Sequence, residues 1–371
     1  MKGLEPLTDP VYRPKARYSW YDKLWLRLIN DKRDLPFIYL LTALHLAVIV
    51  PAVLLFLDIW STWACWAAAI PYFYVSQFYF KGRFGLMLHC ICHRKLFKKP
   101  YQWLHSYITW VVCPFFGHTP ESYFSHHMGM HHVENNMPDD DSSTMAYQRD
   151  SLRGFGLYYL NFLFLGFRNT VMYLYRRKRK KLYVRLSWGE LSFYALCILL
   201  CFVNLKAALL VFIVPFIFAR LVMMLGNWTQ HAFVDPQSPD NIYTSAINCI
   251  NTPYNHVCWN DGYHVIHHLR PGLHYTELPG EFLRQKDDFA RHKTLVFDGI
   301  HYLHIFLYLM GKRYDKLADN LVNLNGMFSD REEAIRLMKA RTARIRTVPE
   351  AKPLLRPQAG VQMEEVVSPG Q

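Results

Sequence analysis

Histidine supplies most of the chemistry available to this chain. Half of its eighteen histidines fall into four tight groups, each at the edge of a long apolar stretch. They are His89 with His93; His127 with His131 and His132; His231, four residues after Asn227; and His264 with His267 and His268. Spacings of three and four residues place side chains on one helix face, so a group can offer several imidazoles to one point. Imidazole is the commonest biological metal ligand and suits iron, zinc, copper and nickel. Nine such rings are too many for one ion of ordinary coordination. Two metals are the economical reading.

The groups differ in tidiness. His89 and His93 are i and i+4, about nine residues beyond an apolar span. If that helix continues, both rings stand roughly 13 Å above the span's end at 1.5 Å per residue. His264, His267 and His268 lie within an arc of about 100°, a suitable fan for bridging two ions. His127 and His131 share a face, but His132 lies about 140° away on an ideal helix. Either the helix ends or distorts near Gly129, or His132 serves the other metal. His126 is an alternative to His127 as ligand. Asn227-Trp228-Thr229 matches a glycosylation acceptor; the expected cytoplasmic position makes that match false, and the amide there can hold a metal-bound water instead. The remaining histidines read as structural, with His45 placed in the middle of a span and His274 nearest to a site role. The run Asp139-Asp140-Asp141 reads first as a solvated loop, and second as carboxylates standing behind the imidazoles.

The elements that must position these groups are apolar helices. Hydrophobic residues make up 51% of the chain and aromatics 16%, high values for a soluble enzyme. Spanning a bilayer takes about 20 apolar residues. Residues 37–57 and 60–80 meet this as a hairpin turning at Asp58, and 188–205 with 207–225 form a second hairpin turning at Asn204 and Lys206. Arg220, in the last of these, must face inward or snorkel. Residues 103–117 are too short to cross, and 155–175, interrupted by Asn161, Arg168, Asn169 and Thr170, read as an interfacial helix. The net charge of +13 is clustered beside the apolar spans. This marks juxtamembrane positive charge on the cytoplasmic side and argues against nucleic acid. Two hairpins then place all four histidine groups on that one side.

The expected fold is an all-α membrane protein of two transmembrane helical hairpins, four spans in all, with a cytoplasmic helical cap carrying the histidines. Residues 1–35 form a basic cytoplasmic segment, 36–311 the membrane domain, and 312–371 a cytoplasmic tail. Within the later part, 295–310 reads as an interfacial helix carrying His301 and His304. Ser329 with Glu332 reads as a capping box opening a helix to about Arg346. Residues 347–371 read as disordered. The eight cysteines show no framework spacing and read as small buried hydrophobes in a reducing setting. No cleaved signal peptide is expected.

This order of motifs, over roughly residues 35 to 310, resembles the integral-membrane fatty acid desaturase and hydroxylase superfamily. The elements are His89-x-x-x-His93 after the first hairpin, His127-x-x-x-His131-His132 about forty residues on, Asn227-x-x-x-His231 ending the second hairpin, and Gly262-Tyr263-His264-x-x-His267-His268. The resemblance implies a non-haem di-iron centre at the cytoplasmic face. Its ligands would be His89, His93, His127, His131, His132, His231, His264, His267 and His268, with Asn227 reaching iron through water. It also implies O2 as co-substrate and hydrogen removal from an unactivated methylene, chemistry that belongs to the cofactor. His264 stands where front-end desaturases of the family carry Gln, and no fused cytochrome b5 motif is present. Electrons would therefore come from a separate carrier, cytochrome b5 or ferredoxin.

The expected activity is fatty acyl desaturation, in the endoplasmic reticulum if the source is eukaryotic or the inner membrane if bacterial. A hydroxylase, acetylenase or ketolase of acyl, sphingoid or terpenoid lipids shares the same first step. A non-enzymatic metal or haem carrier is the alternative from another class.

Overall fold

The computed structural model describes residues 1–57 and 61–346. Asp58, at the expected hairpin tip, and residues 347–371 lie outside the described residues. The chain is mostly helical, and among the described residues three helices are long and apolar enough to cross a membrane: Lys32–Phe56, Lys180–Val203 and Leu205–Gln230.

The first of these shows how such a helix is made. Asp31 Oδ1 accepts the Arg33 amide at 2.9 Å, and Pro36 follows in the opening turns, as a helix start favours. Leu40, Leu44, Val48, Ala52 and Leu55 are buried along one face, while Leu46, Val50, Val53 and Leu54 are exposed on the other. An apolar helix with an apolar exposed face is what lipid, not water, allows. His45 sits midway with both nitrogens used, Nδ1 at 2.6 Å from Leu41 O and Nε2 at 2.6 Å from Tyr107 OH. Its structural reading holds.

The 62–93 helix packs against this one and runs without a break to His93. At 1.5 Å per residue it is about 48 Å long, enough to cross hydrocarbon and still carry His89 and His93 well beyond it. It does not rank with the three apolar helices, because Pro71, Tyr72, Tyr74, Ser76 and Gln77 dilute its apolar stretch.

Arg220 faces inward. It pairs with buried Glu190 at 2.9 Å and stacks over Phe216 at 3.7 Å; Thr119 Oγ1 and Tyr194 OH also donate to Glu190 at 2.6 and 2.5 Å. A carboxylate with three donors is the form in which a charge survives burial. The 103–116 segment lies against the Leu205–Gln230 helix so closely that a Cβ on Gly117 (φ +71°) would stand 2.1 Å from Pro215 O. Leu152–Arg176 is one helix whose Phe155, Tyr158, Phe162, Gly166, Thr170 and Leu174 are buried at helical spacing.

Three expectations change in the last third. Residues 295–310 are not one helix: Val296–Asp298 pairs in parallel with Asn248–Ile250, and Gly299 (φ +79°) separates this strand from the helix Tyr302–Met310. Val296 is β-branched and Phe297 aromatic, residue types that suit a strand, and both are buried. The cap of helix Arg331–Arg341 is Asp330, whose Oδ1 accepts Glu333 N at 2.7 Å, while Ser329 bonds the Glu333 side chain. That helix ends at Arg341, not Arg346, because Thr342 and Ile345 turn to pair with Arg149 N and Met145 O. The eight cysteines are all free thiols.

The basic N-terminal segment is not loose. Buried Asp9 accepts the Asn251 amide at 2.8 Å, Asn255 Nδ2 at 3.0 Å and Tyr263 OH at 2.5 Å. Asn260 Nδ2 adds a bond to Pro10 O at 2.7 Å. The segment is thereby tied to the loop that precedes His264.

Candidate metal centre

The nine grouped histidines come together as two adjacent clusters. His89, His93, His127, His132 and His267 form the larger, and His131, His231, His264 and His268 the smaller; within each, the potential ligand atoms lie within 4.8 Å of one another. His131 and His268 also touch the larger group's His132 ring, at 5.8 and 4.9 Å between centroids.

Local backbone geometry explains who goes where. His89 and His93 are one turn apart on the 62–93 helix and serve the same cluster. The second group lies on a helix whose turn His127–His131 is widened to π geometry. A π turn brings i and i+5 onto one face, so His127 pairs with His132, their Nε2 atoms 3.0 Å apart. His131 is rotated into the smaller cluster. The distortion at Gly129 is therefore real, and the ring that leaves His127 is His131, not His132. The third group fans out as its spacing implies, His267 to the larger cluster and His264 and His268 to the smaller.

The third group is fixed by tight backbone packing. A Cβ on Gly262 would fall 2.2 Å from Cys249 O, and Gly262 O accepts the Cys249 amide at 2.7 Å. Asn248 Oδ1 caps Val265 N at 3.0 Å. The short parallel strand thus anchors the start of helix His264–Leu269.

Outer partners orient the rings. Asp140 Oδ2 lies 2.7 Å from His131 Nδ1, and its other oxygen accepts Ser142 N and Oγ. Asp261 Oδ1 is 3.4 Å from His89 Nδ1, and Oδ2 accepts Tyr254 OH at 2.7 Å and Gln230 Nε2 at 3.2 Å. His231 Nδ1 meets Ser245 O at 2.7 Å. Each leaves Nε2 aimed inward. The acidic run is thus a solvated loop only at exposed Asp139; Asp140 is buried behind an imidazole, and Asp141 accepts Asn169 Nδ2. Asp261 was not singled out from sequence; its place in the turn directly before Gly262-Tyr263-His264 was the available signal.

The other candidates resolve by position. His126 is outside both clusters, its ring against Phe162 and its Nε2 buried without a hydrogen-bond partner. His274 bonds Asp34 at 3.0 Å and Thr276 at 2.8 Å. Asn227 is one turn before His231; its Nδ2 donates to Ser142 O at 2.7 Å and Tyr158 OH at 2.8 Å. That nitrogen is committed inside the fold, which rules out the glycan that its motif would suggest.

The donor set fits metal. Contacts between Nε2 atoms run 2.8 Å (His89–His267), 2.9 Å (His132–His267), 3.0 Å (His93–His127 and His264–His268) and 3.3 Å (His231–His264). Two nitrogens bound at right angles to one ion at about 2.1 Å stand about 3 Å apart. His127 and His267 each face two other Nε2 atoms, and rings whose protons sit on outward Nδ1 leave no hydrogen to share. A cation held between them satisfies these nitrogens together, where otherwise neighbouring rings must share a proton. Burial first, then neighbouring imidazoles, pushes His93, His127, His132, His264, His267 and His268 well below the ordinary histidine range. The same causes take His231 to about 3. At neutral pH these rings are neutral, as ligation requires.

A cavity of about 30 Å³ borders the larger cluster at His89, His93 and His267, with Phe37, Trp259 and Tyr275 among its other walls. A family model described as "Fatty acid desaturase" matches residues 61–299. Neither the curated proteins nor the solved structures gave a match.

Proposed function

Because the chain belongs to the fatty acid desaturase family, an iron-dependent oxidoreductase family acting on fatty acids at membranes, we propose that it is an O2-dependent fatty acyl desaturase. In this reading the 62–93 helix is a fourth span, making two hairpins, and the histidine clusters lie on the cytoplasmic side, in the endoplasmic reticulum if the source is eukaryotic. One iron is held by His89, His93, His127, His132 and His267. The other is held by His131, His231, His264 and His268, with Asn227 contacting a water there. The observation that carries the reading is the gathering of all nine imidazoles into two touching clusters.

The iron pair, when bound, supplies O2 activation and electron storage for attack on an unactivated methylene. The chain's own residues do the positioning. Phe37, Trp259 and Tyr275 form an apolar wall facing His89, His93 and His267, the side from which a methylene is presented and water excluded. The cavity of about 30 Å³ has room for one or two waters, so an acyl chain enters by displacing that wall. Electrons come from a separate carrier, cytochrome b5 or ferredoxin. A haem carrier is disfavoured because His45, the one histidine midway along an apolar span, has both nitrogens engaged.

Expression in yeast, with gas chromatography of total lipids beside a His267→Ala control, tests the proposal. A new unsaturated acyl species absent from the control is expected. An oxygenated lipid in its place would reassign the chain to the hydroxylases of the same family, and identical profiles would count against the desaturase reading.

A further inference from the structure

A second, larger cavity of about 330 Å³ opens between the N-terminal segment and the 255–276 region. Its cationic lining is Arg13, Lys15, Lys32 and Arg33, with His256 beside them, and no carboxylate lines it. Lys15 and Arg33 are already committed, to Asp22 at 3.2 Å and to Asp31 and Glu277 at 2.7 and 2.8 Å. Lys32 has only the Tyr12 ring, 5.9 Å away. Arg13 lines the cavity with neither an ion pair nor a hydrogen bond among the described residues. Two uncommitted cations therefore share a concave site whose walls include Tyr12, Tyr18 and Tyr39.

The site is built rather than draped. The strand of chain leading to Arg13 is held by the bonds of Asp9 and Pro10 to Asn251, Asn255, Tyr263 and Asn260. It also communicates with the metal side. Trp259 and Tyr275 line both this cavity and the small one beside His89, His93 and His267. With Phe37 they form one aromatic partition, the three ring pairs standing 4.7, 5.4 and 5.5 Å apart.

We propose that this cavity binds the phosphate-bearing head group of the acyl substrate, with Arg13 and Lys32 as its phosphate contacts and the acyl chain passing Trp259 and Tyr275 toward the larger histidine cluster. The chemistry is specific in three respects. A guanidinium fork and an ammonium suit a phosphate's several oxygens, where a lone carboxylate would need only one cation. A volume of about 330 Å³ is within the usual range for small-ligand sites and exceeds what a carboxylate fills. With Lys15 and Arg33 balanced by carboxylates behind them and no acid in the lining, the charge of Arg13 and Lys32 is left to repel free ammonium groups and concentrate anions. The inference rests on the acyl-oxidation reading for the identity of the chain but not for the binding itself.

The test uses purified full-length protein in neutral detergent, with equilibrium binding of stearoyl-CoA, stearoyl lysophosphatidate and free stearate. Wild type is expected to bind one or both phosphate-bearing probes at least tenfold tighter than stearate, and which one it prefers identifies a thioester carrier or a lipid head group as the source. The double variant Arg13→Gln/Lys32→Gln is expected to lose that tenfold preference while stearate binding stays unchanged. A variant with the same charge removed outside the cavity, Lys23→Gln/Arg27→Gln, should behave as wild type. Equal binding of all three probes by wild type overturns the proposal, as does equal loss in the two double variants, which would reduce the effect to general surface charge. All four residues are exposed, so folding is not at stake. Because binding is read without turnover, absence of a lipid product in yeast would sink the desaturase reading and leave this site standing, and the reverse holds equally.

Discussion

The two histidine clusters share their supporting elements yet face different surroundings. In the smaller, all four rings are buried; in the larger, His93, His132 and His267 are only partly so, and three rings border a cavity. Outer support differs in the same sense. His131 and His231 are each held by an oxygen at 2.7 Å, whereas His89 has Asp261 at 3.4 Å. The smaller cluster is thus the sealed, stiffly oriented one, and the larger is the one a substrate can approach. Asymmetry of this kind separates holding a metal from presenting it to a reactant.

Ligand deletion should give the largest effect and the sharpest separation. His231→Ala leaves three donors in the smaller cluster, while His267→Ala leaves four in the larger. Metal analysis of the purified chains should show His231→Ala falling from two ions per chain toward one, and His267→Ala keeping its second ion but holding it more weakly. Product should be lost in both. Should His231→Ala retain two tightly held ions, the contrast between the clusters would be broken.

The supporting carboxylates come next. Asp140→Asn and Asp261→Asn keep shape and remove charge. Loss of such a partner typically costs 10–100-fold in metal affinity. The 2.7 Å contact of Asp140 puts it near the upper end of that range, and the 3.4 Å contact of Asp261 near the lower. Competition with a graded chelator reads both, and a larger loss in Asp261→Asn would invert the comparison.

Sequence periodicity revealed much of this arrangement, and its failures have identifiable physical causes. The long helices, the His89/His93 pair and the fan of His264, His267 and His268 follow from 3.6-residue spacing and need nothing else. The division of the second group does not, because a π turn at His127–His131 breaks that period and moves His131 away from His127. Asp140 was open to the sequence only as the second reading of its acidic run, and Asp261 was hidden altogether, since each becomes significant only when a loop folds back upon a ring distant from it in sequence. Short elements differ where a neighbouring apolar stretch absorbs them, as at Val296–Asp298, which joins the apolar run 295–310 in sequence and is a separate strand because Asn248–Ile250 lies beside it. Cap identity slipped by one residue, from Ser329 to Asp330, because both side chains can accept an N-terminal amide.

Acid sensitivity is the smallest effect and the one that reports on burial itself. Within the two clusters, seven rings have pKa values below the ordinary range in the folded chain, by burial first and neighbouring imidazoles second. Unfolded, the same rings titrate near 6.5. Metal-free protein therefore binds fewer protons folded than unfolded once pH drops through that value, and stability must fall as pH falls. Each ring that stays neutral adds up to about 1.4 kcal/mol per pH unit to the slope below pH 6.5. Melting of the metal-depleted chain on either side of the ordinary histidine pKa of roughly 6.5 should show a progressive loss of Tm as pH falls. His231→Ala, which removes a ring whose folded pKa is about 3, should flatten that slope by about one proton. A wild-type Tm that rises on acidification would mean that the rings are already protonated in the fold, and the sealed character assigned to the smaller cluster would be lost with it.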